Sequence, residues 1–281
     1  MTNPSTPPVF AAVQVNSNDD VGRNLKVCTD LVRAAAAAGA QWVGLPENFA
    51  YLGADRDHKI AIAELAEPGS DGPTGPILGA MKNLAQDLKV WLLLGGFPEK
   101  SNAQESRIHN TSLLLDPAGT IAARYRKMHL FDVQIPGGEA FCESDVVAPG
   151  TEVVVADTPW GGMGLSICYD LRFPELYRAL TVGGARLLTC PAAFTQATGK
   201  DHWHALLRAR AIENQSFVLA PAQWGHHGGK RTSYGHALIV DPWGVVVAEC
   251  GDHDGFALAR LDLEYQDRVR GRLPCLSHRK L

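Results

Sequence analysis

Short apolar runs alternate with longer amphipathic stretches along the N-terminal third of the chain. The apolar runs end at glycine or proline, which favours buried strands, whereas the longer stretches begin at capping residues or proline, which favours helices. The pattern predicts strand 9–15, a helix from 18–20 to 38, strand 41–45, an irregular segment over 51–75, a helix over 76–87 and strand 90–95. This alternation predicts an α/β layered fold.

The chain repeats two of its patterns. Residues 39–50 (GAQWVGLPENFA) resemble residues 184–195 (GARLLTCPAAFT), and the turn signal at 115–119 (LDPAG) recurs at 240–244 (VDPWG). The first pattern is a helix end followed by a strand and a proline, and the second is typical of a hairpin. Two similar halves favour two mixed sheets packed face to face with helices outside, although turn chemistry this common also recurs by chance.

Length and charge narrow the classes of function. The 281 residues, 46% of them hydrophobic, can bury a large core. We therefore expect a single domain over 1–281, with 1–8 as a flexible tail and 270–281 as a C-terminal extension. A net charge of −4 leaves no basic stripe for nucleic acid, so a small molecule is the expected partner.

The cysteines and the N-terminal sequence predict the cellular compartment of the protein. The six cysteines include no CxxC pair, so they are interpreted as reduced thiols rather than a disulfide framework or a zinc site. The N-terminus lacks the pattern of a signal peptide, and no apolar run approaches ~18 residues. We therefore expect a cytoplasmic protein with no membrane partner.

A glycine-rich turn that leads into a cysteine predicts a nucleophile. Over residues 161–178 (GGMGLSICYDLRFPELYR), a short strand leads to Cys168, and Pro174 and Glu175 suit the first turn of a following helix. A thiol between a strand end and a helix N-terminus is accessible to substrate and is expected to favour the thiolate. A buried apolar cysteine that closes a strand is the alternative.

Two further ionisable residues stand among glycine, proline and apolar neighbours. Glu47 follows the predicted strand 41–45 in LPENF, and Lys127 follows the second strand of the first hairpin in RKMHLFD. Each residue alone is typical of a solvated loop. Burial of either one would perturb its pKa, so the combination with Cys168 indicates an active site.

Several histidines in the C-terminal half suggest other classes of protein. Two of them lie two positions apart, where helical side chains diverge, and no HExxH motif is present, so neither a metal nor a cofactor is predicted. A cysteine-histidine hydrolase stays open, as does a non-catalytic scaffold that keeps the fold. The histidines considered are His202, His204, His226, His227 and His236.

Three segments taken together resemble the signatures of the nitrilase, or carbon-nitrogen hydrolase, superfamily. They are 45–47 (LPE), 126–132 (RKMHLFD) and 167–175 (ICYDLRFPE), in the family's order. The resemblance runs from residue 9 to about 279, and residues 127–150, 202–215 and 233–244 are most similar to the branch that hydrolyses deaminated glutathione and related ω-amides. It implies an α/β fold in four layers, an α-β-β-α sandwich of two mixed sheets.

The resemblance also implies a cysteine-glutamate-lysine triad, which maps onto Cys168, Glu47 and Lys127. A second glutamate is usual between the lysine and the cysteine. Glu143 is favoured for this role over Glu139, because the PGGE sequence around Glu139 is typical of a turn.

The implied chemistry is amide hydrolysis through a thioester. A poorly solvated Glu47 has a raised pKa, so it could take the thiol proton of Cys168 and return it to the departing amine, released as ammonia. Lys127 and the backbone N–H of Tyr169 would stabilise the oxyanion. Glu47 would then activate the water that hydrolyses the thioester.

The expected substrate is a small keto-amide that bears a carboxylate, and an N-carbamoyl amino acid or an aliphatic nitrile are the alternatives. Arg231 is favoured as the carboxylate ligand, because Arg172 is expected to brace the elbow by pairing with Asp170 or Glu175. The resemblance also implies a homodimer in which residues 273–281 cross to the partner. The residues considered for substrate recognition are Phe49, Tyr51, Arg172, Thr195, His202, Arg231 and Tyr234.

Overall fold

Five of the six described α-helices begin where the sequence offers a capping carboxylate or a proline. The structure, a computed structural model, describes residues 7–66, 74–101, 105–134, 140–229 and 231–280. Asp20 and Asp55 accept hydrogen bonds from backbone N–H groups at two helix starts, and Pro76 and Pro174 open two other helices. The α-helices are α1 Val21–Ala37, α2 Arg56–Ala61, α3 Pro76–Leu88, α4 Pro174–Val182, α5 Gln196–Asn214 and α6 Leu263–Arg272.

The strands of the described residues form two large sheets and one two-stranded sheet. The strands are β1 Val9–Val15, β2 Trp42–Leu45, β3 Trp91–Glu99, β4 His109–Leu115, β5 Ile121–Arg126, β6 Asp132–Gln134, β7 Ala140–Cys142, β8 Val155–Thr158, β9 Gly161–Gly164, β10 Ala185–Thr189, β11 Phe217–Ala220, β12 Ala222–His226, β13 Thr232–Tyr234, β14 Leu238–Val240, β15 Val246–Glu249 and β16 Gly255–Arg260. The first sheet has the order β13-β12-β1-β2-β3-β4-β5, with β16 also paired to β1, and the second has the order β15-β14-β11-β10-β9-β8.

The two large sheets share one strand plan. Strands β1, β2 and β3 are parallel and are followed by antiparallel β4 and β5, just as parallel β9, β10 and β11 are followed by antiparallel β14 and β15. The repeated turn sequences close the β4–β5 and β14–β15 hairpins, and the repeated strand-proline patterns contain β2 and β10. The recurrence in the sequence therefore reflects structure rather than chance.

Alternation of side chains along β1 separates two hydrophobic cores. Val9, Ala11 and Val13 pack in a core with α1 and α3, whereas Phe10 and Ala12 pack in a core shared with the second sheet. This shared core continues through the second sheet to α4 and α5. The layers therefore follow the order helix, sheet, sheet, helix, which confirms the predicted α-β-β-α sandwich of two mixed sheets.

Two glycines in β3 allow the two sheets to meet closely at one end. The strand continues past its predicted end at Gly95 as far as Glu99. A Cβ atom on Gly95 would lie 2.3 Å from Pro191 Cβ, and a Cβ on Gly96 would lie 2.8 Å from Glu47 Cα. Only glycine permits this approach. It brings the loop after β2 next to the loop after β10.

The less regular parts of the chain agree only in part with the predicted pattern. The segment predicted to be irregular over 51–75 contains α2, and its residues 67–73 lie outside the described ranges. Residues 273–280, after α6, form turns without helix or strand. Among the described helices, none is both long and apolar enough to cross a membrane. The single domain over 1–281 with its tail and extension, and the homodimer, stay predictions.

Candidate active site

Cys168 lies at a tight elbow between β9 and α4, as predicted from the sequence. It opens the 3-10 helix Cys168–Arg172 with a φ of 47°, a left-handed value that is uncommon for a residue with a side chain. Its backbone N–H donates to the carbonyl oxygen of Pro191 at 2.9 Å. The elbow fixes the thiol at the floor of a cavity, with 7% of the residue exposed.

A buried carboxylate, Asp170, holds this elbow in shape. It accepts hydrogen bonds from the Ile167 N–H at 2.8 Å, the Tyr125 hydroxyl at 2.7 Å and the His129 N–H at 3.1 Å. The Nδ1 atom of His129 lies a further 2.7 Å from the same carboxylate. The charge of Asp170 is thus stabilised by several donors that belong to two segments of the chain, 125–129 and the elbow itself.

The prediction that Arg172 pairs with Asp170 or Glu175 is wrong. Arg172 has no ion pair with either of them in the described part of the chain, because other donors already occupy the Asp170 carboxylate. Its guanidinium instead lies 5.0 Å from the centre of the Phe194 ring and 3.3 Å from His202 Nδ1. Arg172 lines the cavity and is available to a ligand.

Glu47 follows β2 and is 3% exposed. Its Oε1 atom accepts hydrogen bonds from Lys127 Nζ at 2.8 Å and from Asn110 Nδ2 at 2.9 Å, and its Oε2 accepts from the Ala193 N–H at 2.8 Å. The Cys168 thiol lies beside the same carboxylate and interacts with it as a hydrogen-bond donor. Ala193 follows β10 as Glu47 follows β2, so the two repeated segments meet at this carboxylate.

Lys127 connects two carboxylates. Its ammonium lies 2.8 Å from Glu47 Oε1 and 2.8 Å from Glu143 Oε2, and its side chain is 2% exposed. Asn110 Nδ2 donates to Glu143 as well, at 3.0 Å. The structure therefore brings Glu143 into the cluster with Glu47 and Lys127, whereas Glu139 lies outside the described residues.

The pKa of Glu47 is lowered, and the expectation of a raised value is wrong. Burial acts to raise this pKa, but the charge of Lys127 and the hydrogen bonds from Lys127, Ala193 and Cys168 outweigh burial and hold the pKa at about 2. Burial also lowers the pKa of Lys127, whereas the charges of Glu143 and Glu47 raise it well above its usual value. Glu47 and Lys127 are therefore both charged at neutral pH.

The expected resting thiolate is wrong as well. Burial, followed by the charge of Glu47, raises the pKa of the Cys168 thiol well above its usual value, and the opposing charge of Lys127 does not compensate. The resting site therefore holds a neutral thiol next to an ionised carboxylate. A base is in place, but proton transfer to it needs a substrate that takes up the negative charge of the sulfur.

Glu47, Lys127 and Cys168 form the floor of a cavity of about 640 Å³. Four residues predicted for recognition line this cavity, namely Tyr51, Arg172, Thr195 and Arg231. Tyr169 also lines it, and the backbone N–H of Tyr169 lies in the first turn of the 3-10 helix, where an N–H has no partner within the helix. This N–H and the Lys127 ammonium are two hydrogen-bond donors near the Cys168 thiol.

Three residues predicted for recognition do not line the cavity. Phe49 is fully buried in the core with α1 and α3. Tyr234 stacks on His236 with 4.5 Å between ring centres, and the exposed His202 only reaches Arg172. Their positions in the sequence, close to cavity residues, did not reveal which way their side chains face.

Sequence reasoning missed two polar residues of the site, Asn110 and Lys59, and considered His227 only as a metal ligand or a catalytic base. Asn110 has no distinguishing signal, because His109, Thr111 and Ser112 beside it in the same strand are polar as well. Lys59 lies on α2 within the segment predicted to be irregular, and His227 precedes a pair of glycines in the loop after β12. Nothing in the local sequence distinguishes these two from surface residues.

Two of the histidines considered for a metal site lie together outside the cavity. His204 Nε2 is 3.0 Å and His236 Nδ1 is 2.5 Å from Glu249 Oε1, and the three ligand atoms lie within 4.8 Å of one another. Two imidazoles and a carboxylate form a donor set that zinc accepts. The group is partly exposed and connects α5 to β15, so it is separate from the catalytic cluster.

Comparison with known proteins identifies the family. The model of the carbon-nitrogen hydrolase family matches residues 10–270. The chain belongs to the carbon-nitrogen hydrolases. This carbon-nitrogen hydrolase is 45% identical over 276 residues to human deaminated glutathione amidase, with 97% of this chain and 82% of the human protein aligned.

A bacterial relative and a solved structure agree with this assignment. The carbon-nitrogen hydrolase is 43% identical over 278 residues to deaminated glutathione amidase of Synechocystis sp., covering 97% of this chain and 98% of that protein. The crystal structure of Saccharomyces cerevisiae Nit3, a member of branch 10 of the nitrilase superfamily, matches with a TM-score of 0.85 and 32% identity over 96% of this chain and 95% of the yeast chain. The protein is therefore an amidase-type hydrolase of C–N bonds, and the predicted family is confirmed.

Proposed function

We propose that this carbon-nitrogen hydrolase is a cysteine-dependent amidase for deaminated glutathione, with Cys168, Glu47 and Lys127 as catalytic residues. The observation that carries the proposal is the buried contact between Glu47 and Lys127, at 2.8 Å, beside the Cys168 thiol at the floor of the cavity. The relatives that are 45% and 43% identical bear this activity in their names.

In the first half-reaction, the Cys168 sulfur attacks the amide carbon while its proton passes to Glu47. The transfer is unfavourable in the resting site, because the pKa of Cys168 is raised and that of Glu47 is lowered. It becomes favourable as the attack moves negative charge onto the carbonyl oxygen, where Lys127 and the Tyr169 N–H stabilise it. The C–N bond then breaks, the amine takes the proton from Glu47, and an acyl thioester remains on Cys168.

In the second half-reaction, a water molecule gives a proton to Glu47 and attacks the thioester carbon. The C–S bond breaks, the sulfur recovers its proton from Glu47, and the carboxylic acid leaves. Glu143 acts as a positioning residue in this scheme, because its contacts hold Lys127 and Asn110 in place. The net reaction consumes one water and forms one acid and one amine.

The acyl part of the substrate has a suitable partner in Arg172. This guanidinium lines the cavity four residues after the nucleophile, and within the described ranges no carboxylate pairs with it. A guanidinium can bind a carboxylate through two parallel hydrogen bonds. Arg172, with the hydroxyl of Thr195 on the same cavity wall, is therefore our proposed ligand for the keto-acid end.

A substrate panel tests the proposal. It contains deaminated glutathione, α-ketoglutaramate, an N-carbamoyl amino acid and a simple nitrile, and both amine and ammonia release are followed. Deaminated glutathione carries its amide nitrogen on cysteine and yields cysteinylglycine, whereas α-ketoglutaramate yields ammonia. We expect the highest kcat/KM with deaminated glutathione. A higher value with the nitrile or the carbamoyl compound would overturn the proposed substrate.

Variants test the catalytic roles on that same substrate. We expect Cys168→Ser and Glu47→Gln each to lower kcat by a factor on the order of 10³ or more, as for other enzymes that lose a nucleophile or its base. Cys275→Ser changes an exposed cysteine in the C-terminal segment and serves as the matched control with unchanged kcat. Retention of activity by Cys168→Ser would exclude Cys168 as the nucleophile.

We also infer a homodimer, which the apolar surface near the end of α5 supports. Ile212 is 49% exposed, and the exposed Trp243 and Val245 flank Gly244, which lies against Ile212. Contiguous exposed apolar side chains of this kind are typical of an interaction site. Light scattering measures the oligomeric state. We expect a dimer for the wild type and a shift toward monomer for Trp243→Lys.

A further inference from the structure

The cavity contains a cation with no carboxylate in contact. Lys59, on α2, lines the cavity, and its ammonium donates to Asn48 Oδ1 at 2.9 Å. None of its contacts in the described chain is an ion pair. Lys127, by comparison, contacts two carboxylates in the same cavity. Lys59 therefore presents positive charge to the cavity that the protein itself leaves unneutralised by direct contact.

A buried histidine on the same side offers an unused acceptor. His227 is 5% exposed, lines the cavity and places Nδ1 2.8 Å from the Ser17 carbonyl oxygen. Because a carbonyl only accepts, Nδ1 carries the proton, and burial lowers the pKa of His227 to about 4, so the ring is neutral. Its Nε2 atom is thus a pure acceptor, and it has no partner among the described residues.

Arg231 completes this side of the cavity. It lines the cavity, and within the described residues its guanidinium has no ion pair. Its charge acts on Lys59, after burial and the charge of Glu143, and on His227, after burial and the hydrogen bond to Ser17, so Arg231 lies within electrostatic range of both. We refer to Lys59, His227 and Arg231 as the Lys59 group.

The Lys59 group is attached to the Glu47 loop, whereas Arg172 is attached to the Cys168 elbow. Asn48, which holds Lys59, directly follows Glu47. Ser17, which holds His227, donates its hydroxyl proton to the carbonyl of Phe49 at 2.9 Å. Since the acyl carbon bonds to Cys168 and the amine takes its proton from Glu47, the two cationic regions lie beside different halves of a bound amide.

We infer that the Lys59 group is a subsite for the amine half of the substrate, in which Lys59 and Arg231 bind a carboxylate and His227 accepts a peptide N–H. The inference rests on the proposed amidase function and deepens it. The occupant is the amino-acid or dipeptide part that leaves as the amine. An amide with a carboxylate at each end uses both cationic regions, and a primary amide uses only Arg172.

Paired substrates with the same acyl half test the subsite. Deaminated glutathione carries a carboxylate on its amine half, its C-terminal amide lacks that carboxylate, and α-ketoglutaramate lacks the amine half altogether. We expect Lys59→Met to raise KM for deaminated glutathione on the order of 10-fold to 100-fold with little change in kcat, because a buried charge loses its partner. The kinetics of the other two compounds should change less than twofold.

Controls separate recognition from general damage. Arg56→Met removes a cavity cation that is already paired with Asp145 at 2.7 Å, so it should leave all three substrates unchanged. Arg231→Met should repeat the Lys59→Met result, and it replaces that variant if Lys59→Met fails to fold. His227→Phe should raise KM for deaminated glutathione and for its C-terminal amide, since both contain the peptide N–H.

The outcomes distinguish the subsite from the proposed function. If Lys59→Met lowered kcat/KM equally for all three substrates, the subsite would be overturned and Lys59 would be assigned to charge balance of the catalytic carboxylates. An unchanged KM for deaminated glutathione would overturn the subsite as well. Wild-type enzyme that fails to hydrolyse deaminated glutathione would overturn the proposed function instead. In that case competitive inhibition of α-ketoglutaramate hydrolysis by cysteinylglycine, but not by its C-terminal amide, still supports the subsite, and no inhibition excludes it.

Discussion

The floor and the walls of the cavity differ in whether their charged side chains contact a partner of opposite charge. On the floor, Lys127 lies between two carboxylates at 2.8 Å each, and Asn110 donates to both of them. On the walls, Lys59 and Arg231 line the cavity without a carboxylate in contact within the described residues. The charges on the floor are paired before substrate arrives, whereas the two cations on the walls are not paired with a carboxylate of the described residues.

This difference indicates what each region contributes. Charges that are already paired and hydrogen-bonded need no reorganisation during the reaction, which is the condition for stabilising a transition state. Unpaired cations gain a partner only when an anionic ligand enters, which is the condition for recognition. Changes on the floor should therefore reduce kcat and stability, whereas changes on the walls should act mainly on KM.

The largest effect on stability is expected for Lys127→Met. The variant leaves the buried Glu47 and the partly buried Glu143 without their cation, so we expect the free energy of unfolding to fall by about 3–5 kcal/mol. Loss of an oxyanion donor should also lower kcat by a factor on the order of 10² to 10³. Chemical denaturation and steady-state kinetics on deaminated glutathione measure the two effects.

A second substitution sharpens this result. Adding Glu143→Gln to Lys127→Met removes one of the two uncompensated charges, so the double variant should be more stable than Lys127→Met alone. The same Glu143→Gln change in the wild type should destabilise, because it removes a partner of Lys127. Strictly additive changes in the free energy of unfolding would contradict the coupled cluster.

A smaller effect is expected at Asn110, which positions both carboxylates. Asn110→Leu removes the donor and should lower kcat about 10-fold, since one hydrogen bond to a charged group is worth about 1.5–3 kcal/mol. Asn110→Asp has nearly the original shape but adds a third carboxylate. It should therefore lower kcat more than Asn110→Leu does and should shift the acid limb of kcat toward higher pH. If Asp is tolerated better than Leu, shape rather than charge governs this position.

The smallest effect is expected from pH. With α-ketoglutaramate as substrate, kcat should stay constant within about twofold from pH 7.5 to pH 5, because Glu47 with a pKa of about 2 stays ionised and Cys168, with its raised pKa, stays protonated. An acid limb above pH 5 would show that the pKa of Glu47 is not lowered.

The same pKa shift predicts how stability depends on pH. The pKa of Glu47 falls from its ordinary value of 4.5 to about 2 on folding, so the stability it contributes is complete above pH 4.5 and is lost as pH falls toward 2. Thermal unfolding of the wild type and of Glu47→Gln measures this. The wild type should lose more stability than Glu47→Gln over that interval.

Local signals in the sequence predicted most of the fold. Strand β1 and the ends of α1 and α3 follow from apolar runs, the Asp20 cap and Pro76, which act within a few residues of their own position. The two hairpins and the two strand-proline patterns predicted the two related sheets, because turn chemistry is also local. The same signals placed Glu47, Lys127 and Cys168 at the ends of elements.

The sequence by itself therefore determined most of the elements, the layered fold, the family and which ionisable residues meet at the candidate site. Only the tertiary structure decided how these residues are charged and what they face: the lowered pKa of Glu47, the protonated Cys168, the Arg172 guanidinium that pairs with no carboxylate of the described residues, and the His227 Nε2 acceptor that has no partner among them. The physical reason is that a pKa depends on burial and on charges brought together from distant parts of the chain. Glu47, Lys127 and Ala193 are far apart in sequence, and they act on one another only after the two sheets have packed.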